Sequence, residues 1–254
     1  MDLEIIKVVP DTARTKRAIL FLHGMWHGAW IWQYNFMPYF ACHGHPCYAL
    51  SFRGHGKSYV PEHEPGISDF VIDLEDTVRA LGNDPIIIAH SMGGFVLQHY
   101  LNKTDSAACV FMASLPPRGI KAPAARAAGL FPEAAKSGRL NSILESFDYF
   151  KTLLFSPGFS DELALEYFKK LDNESEQAFA DMMVSAPRPL DGHSLLILNA
   201  ENDRLISERD TSSLARVFGT GYKTAPDIAH NMMLDTNWLL TAKIIRHWLQ
   251  EQRL

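Results

Sequence analysis

The chain has 254 residues, a formal net charge of −5, 47% hydrophobic residues and 21% charged residues. That length fits one large domain or a core domain with an insertion, and that composition excludes an intrinsically disordered chain. The acidic balance, with lysines and arginines scattered singly, argues against a nucleic-acid or anionic-membrane partner.

Short apolar runs alternate along the chain with longer amphipathic stretches, a pattern typical of buried strands between helices. The predicted strands are 3–9, 18–23, 47–52, 84–90, 107–113, 194–199 and 221–225. The predicted core helices are 30–42, 68–81, 92–102, 207–218 and 236–252. Right-handed crossovers would wind the strands into a mostly parallel sheet with helices on both faces. The sequence therefore predicts an α/β fold that holds its ligands at the carboxyl ends of the strands.

The alternation stops between residues 116 and 189, where no strand-like run is present. Proline pairs mark both ends of this stretch, and its predicted helices are 123–137, 140–152, 161–171 and 175–184. We therefore predict a core formed by residues 1–115 and 190–254 and a helical cap formed by residues 116–189.

Ser91 stands at the junction between a predicted strand and a predicted helix, within the run 89–93, AHSMG. A serine hydroxyl acts as a nucleophile at neutral pH only with a positioned base and an exposed position. A sharp strand-to-helix turn exposes it and requires small residues two positions away on either side, which Ala89 and Gly93 satisfy. Ser91 is the predicted nucleophile, and a serine that merely caps the helix is the alternative.

The segment 21–30, FLHGMWHGAW, ends a predicted strand and opens a predicted helix. A developing oxyanion needs two preorganised donors, one from the N–H after the nucleophile and one from the loop after an earlier strand. Met92 supplies the first candidate N–H and Met25 the second, and Gly24 allows a close approach of the backbone. A simple turn at this His-Gly pair is the alternative.

With these motifs, nearly the whole chain resembles the α/β-hydrolase superfamily. Its oxyanion segment is similar to that of the branch with plant methylesterases and hydroxynitrile lyases, and loop 53–58, RGHGKS, resembles a loop common in bacterial esterases, C–C hydrolases and haloalkane dehalogenases. The resemblance implies a mostly parallel central sheet flanked by helices, with an inserted helical cap. Hydroxynitrile lyases of this branch carry Thr in place of Gly24 and Lys in place of Asn231, and haloalkane dehalogenases carry Asp in place of Ser91. Both activities are therefore disfavoured.

The resemblance also implies the chain order serine, acid, histidine. Asp203 follows the predicted strand 194–199 and is the predicted acid, with Glu201 as its competitor. His230 lies after the last predicted strand and before the terminal helix, and is the predicted base. The acid would hold the imidazole in the required tautomer and stabilise the imidazolium.

The chain contains eleven histidines. His90 precedes Ser91 on a strand, so we expect its side chain to point away from the serine and to pack. Four loop histidines share no metal-ligand spacing and are expected to be solvated: His43, His45, His55 and His63. We therefore expect no metal, and the missing P-loop and G-x-G-x-x-G signatures predict no nucleotide cofactor.

The first twenty residues mix charged residues with short apolar stretches. No signal peptide or spanning helix is predicted, and we expect a cytoplasmic protein. We expect a small-molecule partner, no nucleic acid and no membrane, and we leave a homodimer open.

The predicted function is that of a carboxylic ester hydrolase of the serine esterase type. Its predicted substrate is a small-to-medium apolar carboxylic ester, lactone or thioester, cleaved through an acyl-enzyme on Ser91. Gly24, Trp26 and Met232 are the predicted substrate-binding residues, because an apolar cleft beside the nucleophile suits such a substrate. Two alternatives stay open: a cofactor-free dioxygenase that uses the His–Asp pair as a base, and a non-catalytic ligand receptor.

Overall fold

A computed structural model describes residues 2–10, 16–82, 84–104, 108–136, 141, 145–190 and 192–254 of the chain. Its strands form one seven-stranded sheet in the order β1-β3-β2-β4-β5-β6-β7. They are β1 (Ile5–Val8), β2 (Ile19–Leu22), β3 (Cys47–Leu50), β4 (Ile86–His90), β5 (Cys109–Met112), β6 (Leu195–Ala200) and β7 (Lys223–Ala225). Only β1, which pairs with β3, runs antiparallel. The seven predicted strands and the mostly parallel sheet are confirmed; Ala107, which begins the fifth predicted strand, lies outside the described residues.

Helices cover both faces of this sheet. They are α1 (Phe36–Cys42), α2 (Ile67–Leu81), α3 (Met92–Tyr100), α9 (Glu208–Val217) and α10 (Trp238–Glu251), besides those between β5 and β6. Because strand side chains alternate, Ile86 and Ile88 of β4 join the core beneath α1 and α10, whereas Ile87 joins the core beneath α2, α3 and α9. No described helix has both the length and the apolar run that a membrane span requires.

The predicted helix 30–42 is wrong in its first half. The structure has a short 3-10 helix at Ala29–Trp32, and α1 begins only at Phe36. Pro38 explains the break, because proline has no N–H to donate and is tolerated only in the first turn of a helix. A helix continuous from residue 30 would place Pro38 in its interior.

The stretch between β5 and β6, residues 116–189, is called the insertion below. Its described part contains no strand and consists of α4 (Lys121–Leu130), α5 (Pro132–Lys136), α6 (Phe147–Leu154), α7 (Asp161–Phe168) and α8 (Glu176–Met182). Pro132 begins α5, so the predicted helix 123–137 is divided in two, and α6, which begins at Phe147, covers the second half of the predicted helix 140–152. Residues 137–140 and 142–144 lie outside the described part. The division of the chain into a core and a cap stays a prediction.

Candidate active site

Ser91 alone connects β4 to α3, and its backbone is strained. Its φ of 51° and ψ of −117° lie in a region that residues with side chains rarely adopt. Its N–H donates to the Met112 carbonyl (3.1 Å), and its own carbonyl accepts from Gly94 (3.0 Å) and Leu115 (3.2 Å). Strained residues persist where the surroundings fix them, and they concentrate at functional sites.

Two glycines let the oxyanion segment approach this turn closely. A Cβ on Gly93 would lie 2.5 Å from the His23 carbonyl oxygen, and a Cβ on Gly24 would lie 2.9 Å from both His90 Nδ1 and Ser91 Cβ. Neither distance is tolerated by a real Cβ atom. The turn and the end of β2 therefore meet only because both positions lack a side chain.

The structure brings Ser91, His230 and Asp203 into one chain of hydrogen bonds. Ser91 Oγ lies 3.0 Å from His230 Nε2, and His230 Nδ1 lies 2.8 Å from Asp203 Oδ2. Because the Asp203 carboxylate only accepts, Nδ1 carries the imidazole proton and Nε2 presents its lone pair to the serine hydroxyl. This arrangement can remove a proton from Ser91 as the serine attacks an electrophile.

Asp203, and not Glu201, lies beside the imidazole. The second oxygen of Asp203 accepts the N–H groups of Leu205 (2.7 Å) and Ile206 (2.9 Å), which fixes the carboxylate against rotation. Glu201 is exposed, and its Oε2 accepts the N–H of Asp227 (2.9 Å). The geometry therefore separates two acids that stand only two positions apart in the sequence.

Met25 and Met92 carry the two predicted oxyanion donors. Met92 is the first residue of α3, where a helix leaves its N–H groups without intrahelical acceptors. Within the described part of the chain, neither the Met25 N–H nor the Met92 N–H donates to another protein atom. Both groups are thus available to an oxyanion beside Ser91.

Two histidines fix the peptide groups around Met25. His23 Nε2 accepts the Phe52 N–H (3.1 Å), so its proton is on Nδ1, which donates to the Gly24 carbonyl (2.8 Å). His27 Nδ1 donates to the Met25 carbonyl (2.6 Å), and its Nε2 accepts from the Asn231 side chain (3.3 Å). These bonds require neutral rings.

Burial keeps both of these rings neutral. It is the main cause that lowers the pKa of His27 from 6.5 to about 4 and the pKa of His23 well below its ordinary value. Sequence reasoning gave neither histidine this role. Their spacing on either side of Met25 was the only signal, and that spacing does not show where the rings point.

His90 is packed, as predicted, and its contact is with His230. Its Nε2 donates to the His230 carbonyl (2.9 Å), and the two ring centres are 4.7 Å apart. Burial, and then the nearby His230, lowers the pKa of His90 well below its ordinary value. His90 therefore supports the loop of the predicted base.

The prediction that the four loop histidines are solvated is wrong for two of them. His45 is 1% exposed and its Nδ1 donates to the Arg17 carbonyl (2.9 Å). His55 is 2% exposed and its Nε2 lies 3.3 Å from Glu174 Oε2. Each ring is buried because it finds a polar partner far away in the sequence. His63 is exposed, as predicted.

The predicted substrate-binding residues Trp26 and Met232 differ in their exposure to solvent. Trp26 is half-buried, and its indole N–H donates to Asn141 Oδ1 (3.1 Å). Met232 has no exposed surface and belongs to the core cluster beneath α10. The structure therefore places Trp26, but not Met232, where a ligand could contact it.

Among the described residues, no group of three or more His, Cys, Asp or Glu side chains is arranged to hold a metal ion.

Comparison with known proteins gives one family. A model of the alpha/beta hydrolase family matches residues 19–243. Methylesterase 4 of Arabidopsis thaliana is 22% identical over 209 residues, which cover 80% of this chain and 77% of that protein. The esterase EaEST of Exiguobacterium antarcticum has a TM-score of 0.76 at 14% identity and covers 97% of this chain and 95% of its own. A bromoperoxidase of Bacillus anthracis has a TM-score of 0.77 at 18% identity. The match covers 98% of this chain and 96% of the bromoperoxidase chain. At these identities the two structures share the fold.

Proposed function

Because this chain belongs to the alpha/beta hydrolase family, we propose that it is a carboxylic ester hydrolase that forms an acyl-enzyme on Ser91. The observation that carries the proposal is the chain of hydrogen bonds from Ser91 Oγ through His230 to Asp203, at 3.0 Å and 2.8 Å. This is the geometry that a general base needs to activate a serine hydroxyl.

The reaction has two halves. His230 Nε2 takes the Ser91 proton while Oγ attacks the ester carbonyl, and the N–H groups of Met25 and Met92 receive the oxyanion. The carbon–oxygen bond to the alcohol then breaks, and His230 returns the proton to the departing alkoxide. Water, deprotonated by the same imidazole, attacks the acyl-enzyme and releases the acid and the free serine. Asp203 stabilises the imidazolium in both halves.

The insertion is proposed to act as a cap over this site. Its segments bond to the loops that carry the reacting groups: Asn231 donates to the Leu154 carbonyl (2.9 Å), and Arg126 donates to the Leu205 carbonyl through Nε (2.8 Å). Arg126 also forms an ion pair with Asp210. Its guanidinium is thus engaged by the protein, which supports an apolar ester, lactone or thioester over a substrate that carries an anionic group.

Two positions argue against cyanohydrin cleavage by this site. Any Cβ at Gly24, including that of the Thr found in hydroxynitrile lyases, would press on Ser91 and His90. Asn231, in place of the lyase Lys, has no exposed surface and donates to His27. These contacts support hydrolysis as the use of the Ser91 arrangement.

A panel of p-nitrophenyl esters from acetate to decanoate tests the function. We expect turnover by the wild type and a loss of about four orders of magnitude in kcat for Ser91→Ala, the scale of single triad knockouts. Ser160→Ala is a matched control, because Ser160 only caps α7 by accepting from Leu163. It should retain activity.

A fluorophosphonate probe with mass spectrometry identifies the nucleophile independently. The adduct should form on Ser91 and be missing in Ser91→Ala. Ester turnover that survives Ser91→Ala would reject the acyl-enzyme. Oxygen consumption with a hydroxylated heteroaromatic that persists in that variant would favour a dioxygenase, and tight ligand binding without labelling would favour a receptor.

A further inference from the structure

Trp26 has a strained backbone next to a proposed oxyanion donor. Its φ is 64°, in the left-handed region, a conformation that is unfavourable for a residue with a side chain. Surrounding contacts must hold it there. Because Trp26 directly follows Met25, the contacts that hold Trp26 also constrain the Met25 backbone.

Those contacts come from the insertion. The Trp26 N–H donates to Glu174 Oε2 (3.3 Å), and the Trp26 carbonyl accepts from the Asp172 N–H (2.8 Å). The indole N–H donates to Asn141 Oδ1. Asn141 is itself bonded to the backbone of Glu174 at both N–H (2.9 Å) and carbonyl (3.2 Å). Asn141 and Glu174 therefore hold Trp26 as one unit.

The peptide between Met25 and Trp26 is fixed at both of its polar ends. Its carbonyl accepts from His27 Nδ1 at 2.6 Å, and its N–H donates to Glu174. The two groups point in opposite directions because the peptide is planar and trans. The preceding peptide, which carries the Met25 N–H, is held at its carbonyl by His23. The two peptides that flank the Met25 Cα are thus each held by a side-chain partner.

Glu174 has a buried charged partner from the core. Its side chain has no exposed surface; Oε2 lies 3.3 Å from His55 Nε2, and Oε1 accepts the Ser175 N–H (3.0 Å). Burial by itself lowers the pKa of His55, but the charge and hydrogen bond of Glu174 outweigh it and raise that pKa. A buried carboxylate without such a partner would be unfavourable. His55 thus keeps the Glu174 carboxylate in place beside Trp26.

We propose that Glu174 is a positioning residue: it holds the Met25–Trp26 peptide, and so fixes the Met25 Cα to which the proposed oxyanion donor, the Met25 N–H, is attached. This inference rests on the proposed function. In this role, Glu174 of the insertion controls one oxyanion donor of an active site that is formed by core residues.

Glu174→Gln tests the proposal, because it keeps the shape of the side chain and removes the charge that binds His55. Loss of a whole oxyanion donor lowers kcat by about 10²–10³-fold. For a donor that is misplaced, we expect kcat on a p-nitrophenyl ester to fall about tenfold to a hundredfold, with KM changed less than about threefold. The affinity for a trifluoromethyl ketone, which forms a tetrahedral oxyanion on serine, should fall in parallel with kcat/KM.

Asp181→Asn is the matched control. Asp181 is another carboxylate of the insertion that accepts a core backbone N–H, from Ile67 at 2.9 Å, and it does not bond to the oxyanion segment. We expect it to lower Tm and to leave kcat unchanged. If both variants lose stability and neither loses kcat, Glu174 is only structural and the proposal is overturned.

Hydrogen exchange gives a readout that needs no ester turnover. Amides of residues 24–28 should exchange faster in Glu174→Gln than in the wild type and should be unchanged in Asp181→Asn. Unchanged exchange in Glu174→Gln would overturn the positioning role, whatever the activity. If the wild type cleaves no ester while exchange responds as expected, the proposed function fails and the positioning of the segment stands.

Discussion

The buried carboxylate of Asp235 accepts a hydrogen bond from the backbone N–H of Ala229 at 2.8 Å, and Ala229 directly precedes His230. The same Oδ2 atom accepts the N–H (3.0 Å) and the hydroxyl (2.6 Å) of Ser156 in the insertion. One carboxylate with no exposed surface therefore joins the loop of the proposed base to the segment between α6 and α7.

We expect Asp235→Asn to lower the free energy of unfolding by about 2–4 kcal/mol. An amide offers a single acceptor oxygen and adds two donors, so buried N–H groups lose charge-assisted bonds or face another donor. Urea denaturation measures the change. Asp227→Asn is the control: Asp227 is exposed with φ of 50°, a conformation that Asn tolerates. Equal stability of the two variants would contradict the anchoring role of Asp235.

Asp203→Asn and Glu201→Gln separate the two candidate acids. Asp203→Asn should lower kcat by about 10⁴-fold, because an amide beside Nδ1 favours the wrong imidazole tautomer. Glu201→Gln should keep kcat within about twofold, since exposed residues away from the reacting groups have small effects. Steady-state kinetics on the best ester of the panel decides between them. A larger loss in Glu201→Gln would reassign the acid.

Gly93→Ala and Gly129→Ala should change stability in opposite directions. A Cβ at Gly93 meets the carbonyl oxygens of His23 at 2.5 Å and Leu22 at 2.9 Å, and backbone atoms cannot yield as a side chain can. We expect a loss of about 3 kcal/mol or more, the range of severe overpacking. Gly129 lies in α4 with open space around its Cβ position, so alanine should stabilise by about 0.5–1 kcal/mol. Thermal unfolding of both variants provides the measurement.

The stability of the protein should fall as pH is lowered from 6.5 to 4. Burial lowers the pKa of folded His27 from 6.5 to about 4, so between these values the unfolded chain binds a proton that the folded chain does not. His23 and His90 act in the same direction. His55 contributes above this window, because its pKa is raised in the folded protein. The stabilisation that His55 provides is complete below pH 6.5 and is lost as the pH rises through the pKa of the folded state.

His27→Asn isolates the contribution of one ring. In urea titrations, the loss of stability toward acid should be less steep than in the wild type by up to about 1.4 kcal/mol per pH unit, the free energy of one pKa unit. His63→Asn, which removes an exposed histidine, is the control variant. A slope that is the same in all three proteins would show that His27 titrates normally when folded.

The sequence located the strands and the loops that carry Ser91, Asp203 and His230, because each depends on local signals. Apolar runs fix β2, β4 and β6, and the small residues around Ser91 fix the turn. The predicted start of a helix at residue 30 was wrong, although the sequence contains the local signal against it. That signal is Pro38, which is not tolerated in the interior of a helix.

Only the tertiary structure decided which polar groups are buried together. His55 reads as a solvated loop residue, yet it meets Glu174 at a separation of 119 positions, and Asn231 meets His27 across 204 positions. Likewise, only the fold brings Asp203, and not Glu201, within hydrogen-bond distance of the imidazole. The physical reason is that burial and hydrogen-bond pairing depend on segments brought together by the fold, whereas periodicity and turn chemistry are properties of neighbours along the chain.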